Sequence, residues 1–484
     1  MAGEKYRRRY SAERSLMMAG KVRQILIVTS AKRYFASIAV IMGVALTLAA
    51  QDRNPVILIP GLTGSELRDK KTGERVWFKT RKSKSEDLRL PIAADITKMG
   101  DDLEATDVLR EVKIGPFPVT DVYGGFIKAM EQRGGYREED WAKPGEEAHK
   151  NSLFVFAYDW RLDNVTNARR LIRQVESLKR RLGKPDLRFD IVAHSMGGII
   201  ARYAVMYGDA DLPTGRREVK PTFAGSRHFD KVILLGTPNE GSALALNALL
   251  NGFSIGGLRI DLPWAQDTSK FMVFTIPSTY QLLPAPGTAR IFDSTLQPLN
   301  ADIYDPKTWT KYGWSVIQDK KFSTRFGRSE IRIAERYLAA ALARARRLHE
   351  ALAAANGESG STTFYPIGAD CKNVIDGIIL LNDKPGSWKT ILKAKGFKLE
   401  DGQKFDDNDV KAVIQSPGDG VVAARSLEAS TQASKLGLSS IYSGVPTKFF
   451  CEDHNKLAAN SRIQDYVISV LAGKTADDAE IGKK

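Results

Sequence analysis

The chain of 484 residues has little that could cross-link it or bind a metal: two cysteines, Cys371 and Cys451, and five histidines. Neither cysteine belongs to a CxxC pair, which argues against a structural zinc site and a redox dithiol. The two residues allow at most one disulfide, in an exported domain. Basic residues do not interleave with aromatics, and no zinc-finger spacing occurs. The net charge of +15 therefore does not read as a nucleic-acid surface. Much of that charge is local, because residues 1–50 hold nine lysines and arginines against two glutamates. The milder excess elsewhere reads as solubility charge, with attraction to an anionic membrane surface as the alternative. Long apolar runs are scarce too. Residues 34–50 form one, broken by Ser37, Gly43 and Thr47 and preceded by Lys32 and Arg33. The run is short for a span of about 20 residues. A basic flank, an apolar centre and a Leu48-Ala49-Ala50 end fit a signal peptide, with an uncleaved anchor as the rival.

From residue 55 onward, apolar strand-like runs alternate with amphipathic segments. Pro55-Val56-Ile57-Leu58-Ile59 runs into a turn at Gly61. Residues 152–158 form a second strand and 167–182 an amphipathic helix, with Leu171, Ile172, Val175 and Leu178 at helical spacing. Residues 189–193 and 229–235 are further strands. This rhythm predicts an α/β fold: a mostly parallel central sheet with helices on both faces. It breaks at residues 243–325, where large apolar residues and glycine turns read as a cap or lid, or as a plain helical subdomain. Residues 330–356 form a long helix, read as a solvated outer helix rather than one lying on a membrane. Trp77-Phe78 reads as a packing anchor rather than an exposed aromatic patch. The expected organisation is 1–50 as targeting segment or anchor, 51–242 and 326–472 as two parts of one catalytic domain, 243–325 as cap, and 473–484 as a charged tail.

Chemistry concentrates at Ala193-His194-Ser195-Met196-Gly197-Gly198, between a strand and a helix. A serine on such a turn is a nucleophile elbow, with Gly197 small enough to let strand and helix approach. Ala193 stands where the pattern usually has glycine. A serine hydroxyl needs a base whose tautomer is held by an acid. His194 adjoins the serine and points elsewhere, whereas His149, His228 and His349 fall before strands or within a helix. His454 follows a late strand. Upstream, Asp419 sits in Ser416-Pro417-Gly418-Asp419-Gly420, with Asp370 and Asp453 as rival acids. The order Ser195, Asp419, His454 is that of the α/β-hydrolases. The turn at Gly61 and the elbow supply backbone N–H groups, those of Leu62 and Met196, for a developing oxyanion. Asp159 and Arg161, at a strand end, brace that loop or form a structural ion pair.

With Pro55 to Ser65, Tyr158-Asp159-Trp160-Arg161, the elbow, Gly236 to Ser242, Pro277 to Pro284, Gly418-Asp419-Gly420-Val421-Val422, Arg425-Ser426 and the His454 loop in place, the chain resembles the lecithin:cholesterol acyltransferase family. That family includes lysosomal phospholipase A2 and the phospholipid:diacylglycerol acyltransferases. The resemblance spans roughly residues 55–470. It implies the Ser195–Asp419–His454 triad, Leu62 and Met196 as oxyanion donors, a lid after Ser242, and Cys371–Cys451 as a surviving bridge. It also implies acyl exchange at a phospholipid or other lipid ester, with a lipid alcohol or water as acceptor, peripheral contact with a lipid surface, and no cofactor or metal. The rivals are a lipase or carboxylesterase using water alone and a non-catalytic lipid-binding protein on the same fold.

Overall fold

The computed structural model describes residues 52–474 other than 80–87, 114–119, 214, 216, 254–267, 355–359, 385, 436, 438–440 and 443. The N-terminal segment read as a targeting segment or anchor, residues 254–267 of the segment read as cap and nearly all of the charged tail lie outside the described residues. Among the described residues no helix is long and apolar enough to cross a membrane.

Seven strands build the central sheet: β1 (Val56–Ile59), β2 (Arg137–Glu139), β3 (Ser152–Val155), β4 (Phe189–His194), β5 (Phe229–Leu235), β6 (Thr363–Gly368) and β7 (Lys448–Phe449), in the order β7-β6-β5-β4-β1-β3-β2. Every neighbouring pair is parallel, so the sheet is wholly rather than mostly parallel. Its middle strands are apolar at consecutive positions because both faces are covered. The period of two then sorts them. Ile57, Phe154, Ile191, Val232 and Leu234 join one core. Leu58, Leu153, Val192, Ile233 and Leu235 join the other.

Against the first face pack α2 (Asn164–Arg181) and α3 (Met196–Tyr207). Against the second lie α1 (Gly124–Gln132) and α5 (Ser461–Leu471), through Phe126, Met130 and Val467. The Asp163 carboxylate accepts from the Thr166 amide to cap α2, and Lys179, Arg180 and Arg181 crowd its last turn, where the helix dipole favours positive charge. The last strand is short. Only Lys448 and Phe449 pair, with Ile367 and Gly368, at the edge of the sheet.

The long helix, α4 (Arg328–Ala353), is an outer helix with one side in solvent, where Arg332, Glu335 and Arg336 are exposed. Its Ala334, Tyr337, Leu338, Leu342 and Leu348 are buried, and Arg344 grips the Asp163 carboxylate with bonds of 2.8 and 2.9 Å. The segment read as cap and α3 cover this apolar stripe. Segment 243–325 is also joined to a later part of the chain. Strand Arg290–Phe292 from that segment pairs with Gly377–Lys384, which pairs in turn with Ser387–Ile391. The helix Asp407–Ile414 packs Val410 and Ile414 on Ile379 and Leu381 of this small sheet. An excursion between β6 and β7 thus forms a small sheet with the segment read as cap, within the range read as plain catalytic domain.

His349 on α4 is 1 % exposed, and burial pulls its pKa from 6.5 down to about 4. It is neutral in the native state and takes up a proton below pH 6.5 on unfolding, so its contribution destabilises the fold as pH falls from 6.5 toward 4. His349→Gln is expected to shrink the slope of unfolding free energy against pH, between about pH 6 and 4.5, by at most about 1.4 kcal/mol per unit. Urea melts at fixed ionic strength measure it, and an unchanged slope contradicts the assignment.

Candidate active site

The carboxyl ends of β1, β4, β5 and β7 converge on Ser195. Its φ of 54° and ψ of −124° place a non-glycine residue in a sparsely populated region, at a cost of about 1–3 kcal/mol. The fold holds it there: the Ser195 amide donates to the Leu235 carbonyl at 2.8 Å, and the Gly198 amide donates to the Ser195 carbonyl at 3.0 Å. Gly197 is required by space. A Cβ there would lie 2.6 Å from the Pro60 carbonyl oxygen and 2.7 Å from that of Ile59. Ala193 sits inside β4, in register with Ile59 and Leu234.

The three predicted side chains meet. His454 Nε2 is 2.9 Å from Ser195 Oγ, and His454 Nδ1 is 2.7 Å from Asp419 Oδ2. The other Asp419 oxygen accepts the Val421 and Val422 amides at 2.9 and 2.7 Å, so the glycine turn folds its own backbone around the carboxylate. Burial raises the Asp419 carboxyl, but the charge and hydrogen bond of His454 and the two amides outweigh it and leave the pKa below the ordinary 3.8. The acid stays ionised at neutral pH. Asp370 is exposed. Asp453 pairs outward with Lys456 at 2.9 Å and Lys372 at 3.4 Å. Neither rival acid reaches the imidazole. Gly236, at the end of β5, lies beneath the pair: a Cβ there would come within 3.0 Å of His454 Nδ1 and 3.1 Å of Asp419 Oδ2. Its place at the head of Gly236-Thr237-Pro238 was a signal for this role.

Met196 opens α3, so its N–H has no intrahelical acceptor. Leu62 lines the same cavity as Ser195 and His454. The loop carrying Leu62 is braced by side chains. Tyr158 O–H donates to the Pro60 carbonyl at 2.8 Å, Trp77 Nε1–H donates to the Thr63 carbonyl at 2.8 Å, and the Gly61 amide donates to Tyr123 Oη at 2.8 Å. Trp77 is therefore a buried anchor, and the bracing that was one of the two readings for Asp159 and Arg161 falls to Tyr158, Trp77 and Tyr123. Arg161 is fully buried and forms paired bonds to both oxygens of Asp159 and of Asp101, tying the segment before residue 103 to the end of β3. That is the structural alternative for Asp159 and Arg161. Tyr123 had no sequence signal.

Cys371 and Cys451 are bonded, with Cα atoms 5.5 Å apart across 80 residues of sequence. The bridge joins the segment after β6 to the chain just before His454. Reduction, or a double Cys→Ser change, is expected to cost about 2–5 kcal/mol of stability. It should also lower turnover by loosening the histidine loop. Denaturant midpoints with and without reductant check the first effect, and initial rates below the transition check the second.

The triad opens into a cavity of about 470 Å3, a volume in the range of small-molecule sites. Trp77, Phe78 and Leu109 form one wall, and Leu244, Ala248 and Leu282 of the cap form the other.

Comparison with known proteins agrees with this architecture. The chain is similar to a chain of the Tle4–Tli4 complex, with a TM-score of 0.50 and 17 % identity over 87 % of this chain and 97 % of that one. The chain has the α/β-hydrolase fold. It is also similar to EstA from Clostridium botulinum, with a TM-score of 0.32 and 13 % identity over 87 % and 86 % of the two chains. Residues 128–254 match a family described as a domain of unknown function (DUF7379). A curated relative is the uncharacterized protein YJR098C of Saccharomyces cerevisiae, 24 % identical over 273 residues. That match takes in 55 % of this chain and about a third, 34 %, of the yeast protein.

Proposed function

We propose that this chain is a serine-dependent acyl-transfer enzyme acting on lipid esters. The observation that carries the reading is the Ser195–His454–Asp419 chain, at 2.9 and 2.7 Å, opening onto an apolar-walled cavity. His454 Nε2 takes the Ser195 proton as Oγ attacks the ester carbonyl, while Asp419 holds Nδ1–H and stabilises the imidazolium. The Leu62 and Met196 amides receive the developing oxyanion. The imidazolium then protonates the departing alcohol, leaving acyl-Ser195 with its chain against the cavity walls. An incoming hydroxyl, deprotonated by His454, releases the acyl group and restores the serine.

The finer reading is that the hydroxyl belongs to a lipid alcohol and the donor is a phospholipid, as in the lecithin:cholesterol acyltransferase family. Its support is the motif resemblance and the way two of those motifs interlock. Ser426 Oγ–H donates to the Gly241 carbonyl at 2.7 Å, and Ser242 Oγ–H donates to the Val421 carbonyl at 2.9 Å. We propose further that the protein works in an oxidising compartment or at a lipid surface facing one, on the support of the Cys371–Cys451 bond. Incubation with acyl-labelled phospholipid, with and without a long-chain alcohol, tests both levels. Labelled ester that grows with alcohol supports transfer. Free fatty acid alone at every alcohol concentration leaves a hydrolase, and no product from any lipid ester overturns the proposal.

A further inference from the structure

His194 stands next to the nucleophile and takes no part in the triad, yet it is 8 % exposed and both ring nitrogens are engaged. Nε2 lies 3.1 Å from the main-chain carbonyl oxygen of His454, and Nδ1 lies 2.8 Å from Tyr123 Oη. Tyr123, itself 2 % exposed, also receives the Gly61 amide at 2.8 Å. These contacts allow one proton arrangement. A carbonyl oxygen only accepts, so His194 Nε2 carries a hydrogen. In a neutral ring Nδ1 is then the acceptor, and the single Tyr123 hydroxyl proton goes to it. The tyrosine oxygen is left to accept the Gly61 N–H. Every group is used, in one direction: Gly61 N–H to Tyr123 O–H to His194 Nδ1, and His194 Nε2–H to the His454 carbonyl. A cationic His194 would turn a second N–H onto the tyrosine oxygen and leave the tyrosine proton without this acceptor. Burial and the nearby His454 oppose that state and pull the His194 pKa from 6.5 down to about 3.

The two ends of this chain are significant. Gly61 precedes Leu62, whose amide is the proposed oxyanion donor outside the elbow. The His454 carbonyl belongs to the proposed general base. We propose that Tyr123 and His194 are positioning residues that set the oxyanion loop and the main chain of His454 in fixed relation through a neutral, Nε2-protonated imidazole. This rests on the triad reading of the preceding section. Neither side chain transfers a proton in the reaction. Their work is geometric, and acyl-transfer sites are sensitive to displacements well under the length of a bond.

Tyr123→Phe removes one oxygen with no change of shape, deleting the acceptor for Gly61 and the donor to His194. With a soluble activated ester, kcat is expected to fall about 10- to 100-fold, the scale of a misplacement of up to about 1 Å, while KM stays within about twofold. At equal folded fraction His194→Gln, which keeps a donor for the His454 carbonyl, should retain more activity than His194→Leu, which keeps none. Nitrogen-15 spectra of histidine-labelled protein, with only five histidines to assign, should show His194 with a bare Nδ1 and a protonated Nε2 at neutral pH. A folded Tyr123→Phe protein with unchanged kcat, or a His194 protonated on Nδ1, overturns the proposal. Ser195→Ala run alongside separates the two levels. If it is inactive and Tyr123→Phe behaves as wild type, only the positioning role fails. If Ser195→Ala turns over normally, the triad reading fails with it.

Discussion

Ser195→Ala is expected to abolish turnover of an ester substrate, with kcat lower by on the order of 10^6-fold, the loss seen when a triad nucleophile is removed. The change is small in structural terms. Ser195 Oγ has one bond of catalytic consequence, the 2.9 Å contact with His454 Nε2. The backbone bonds that hold the elbow come from its amide and carbonyl. Alanine keeps those and keeps a Cβ, so the protein should fold. A residual rate above that of water is expected, because the Leu62 and Met196 amides and the cavity still bind and polarise the ester. A fluorophosphonate probe gives the cleaner measurement, since it reports attack by the serine independently of which lipid is the substrate. Wild type should be labelled and Ser195→Ala should not. Failure to label wild type, or equal labelling of the variant, would rule out the proposed mechanism.

Asp419→Asn is expected to lower kcat by about 10^4-fold with the fold intact. The reason is tautomeric rather than electrostatic alone. Asp419 now holds the hydrogen of His454 on Nδ1, leaving the Nε2 lone pair aimed at Ser195. An asparagine keeps its carbonyl oxygen on the Val421 and Val422 amides, where the carboxylate has bonds of 2.9 and 2.7 Å. Its amino group then faces Nδ1 and donates to it. The hydrogen moves to Nε2, where it meets the serine hydroxyl, and that nitrogen can no longer accept the serine proton. Phosphonate labelling should slow in parallel with kcat, and circular dichroism should not change. Asp453→Asn and Asp370→Asn, whose side chains face away, should leave the rate as it is. Wild-type kcat in Asp419→Asn would show that the acid has been misassigned.

The side chains of the proposed triad were legible because their signals are local. The strand–turn–helix context of Ser195 needs only the elbow and its small neighbours. The acid announces itself in Gly418-Asp419-Gly420 because a carboxylate wrapped by its own backbone needs that tight turn, and His454 was found by elimination among five histidines. The two faces of the sheet were not separable from its continuous apolar runs, though the run of strands and helices was. Tyr123 lies 71 residues from His194, and nothing near it in sequence marks a contact that exists only because the helix after it packs under β1 and β4. Asp101, the second partner of Arg161, is equally silent. The small sheet between β6 and β7 escaped for a related reason. Gly377–Lys384 is an apolar strand of eight residues, but its parallel partner, Arg290–Phe292, lies far away in the chain.

By itself, then, the sequence determined the class of sheet, the elbow, the acid turn and the histidine, since each depends on the conformational demands of a few adjacent residues. Tertiary structure alone decided the rest of what holds those parts at working distance: the grip of Arg161 on Asp101, and the hydrogen bonds through Tyr123 and His194. The physical reason is that buried polar groups must find partners wherever packing brings them. Their partners are set by which surfaces meet, and spacing along the chain carries no record of it.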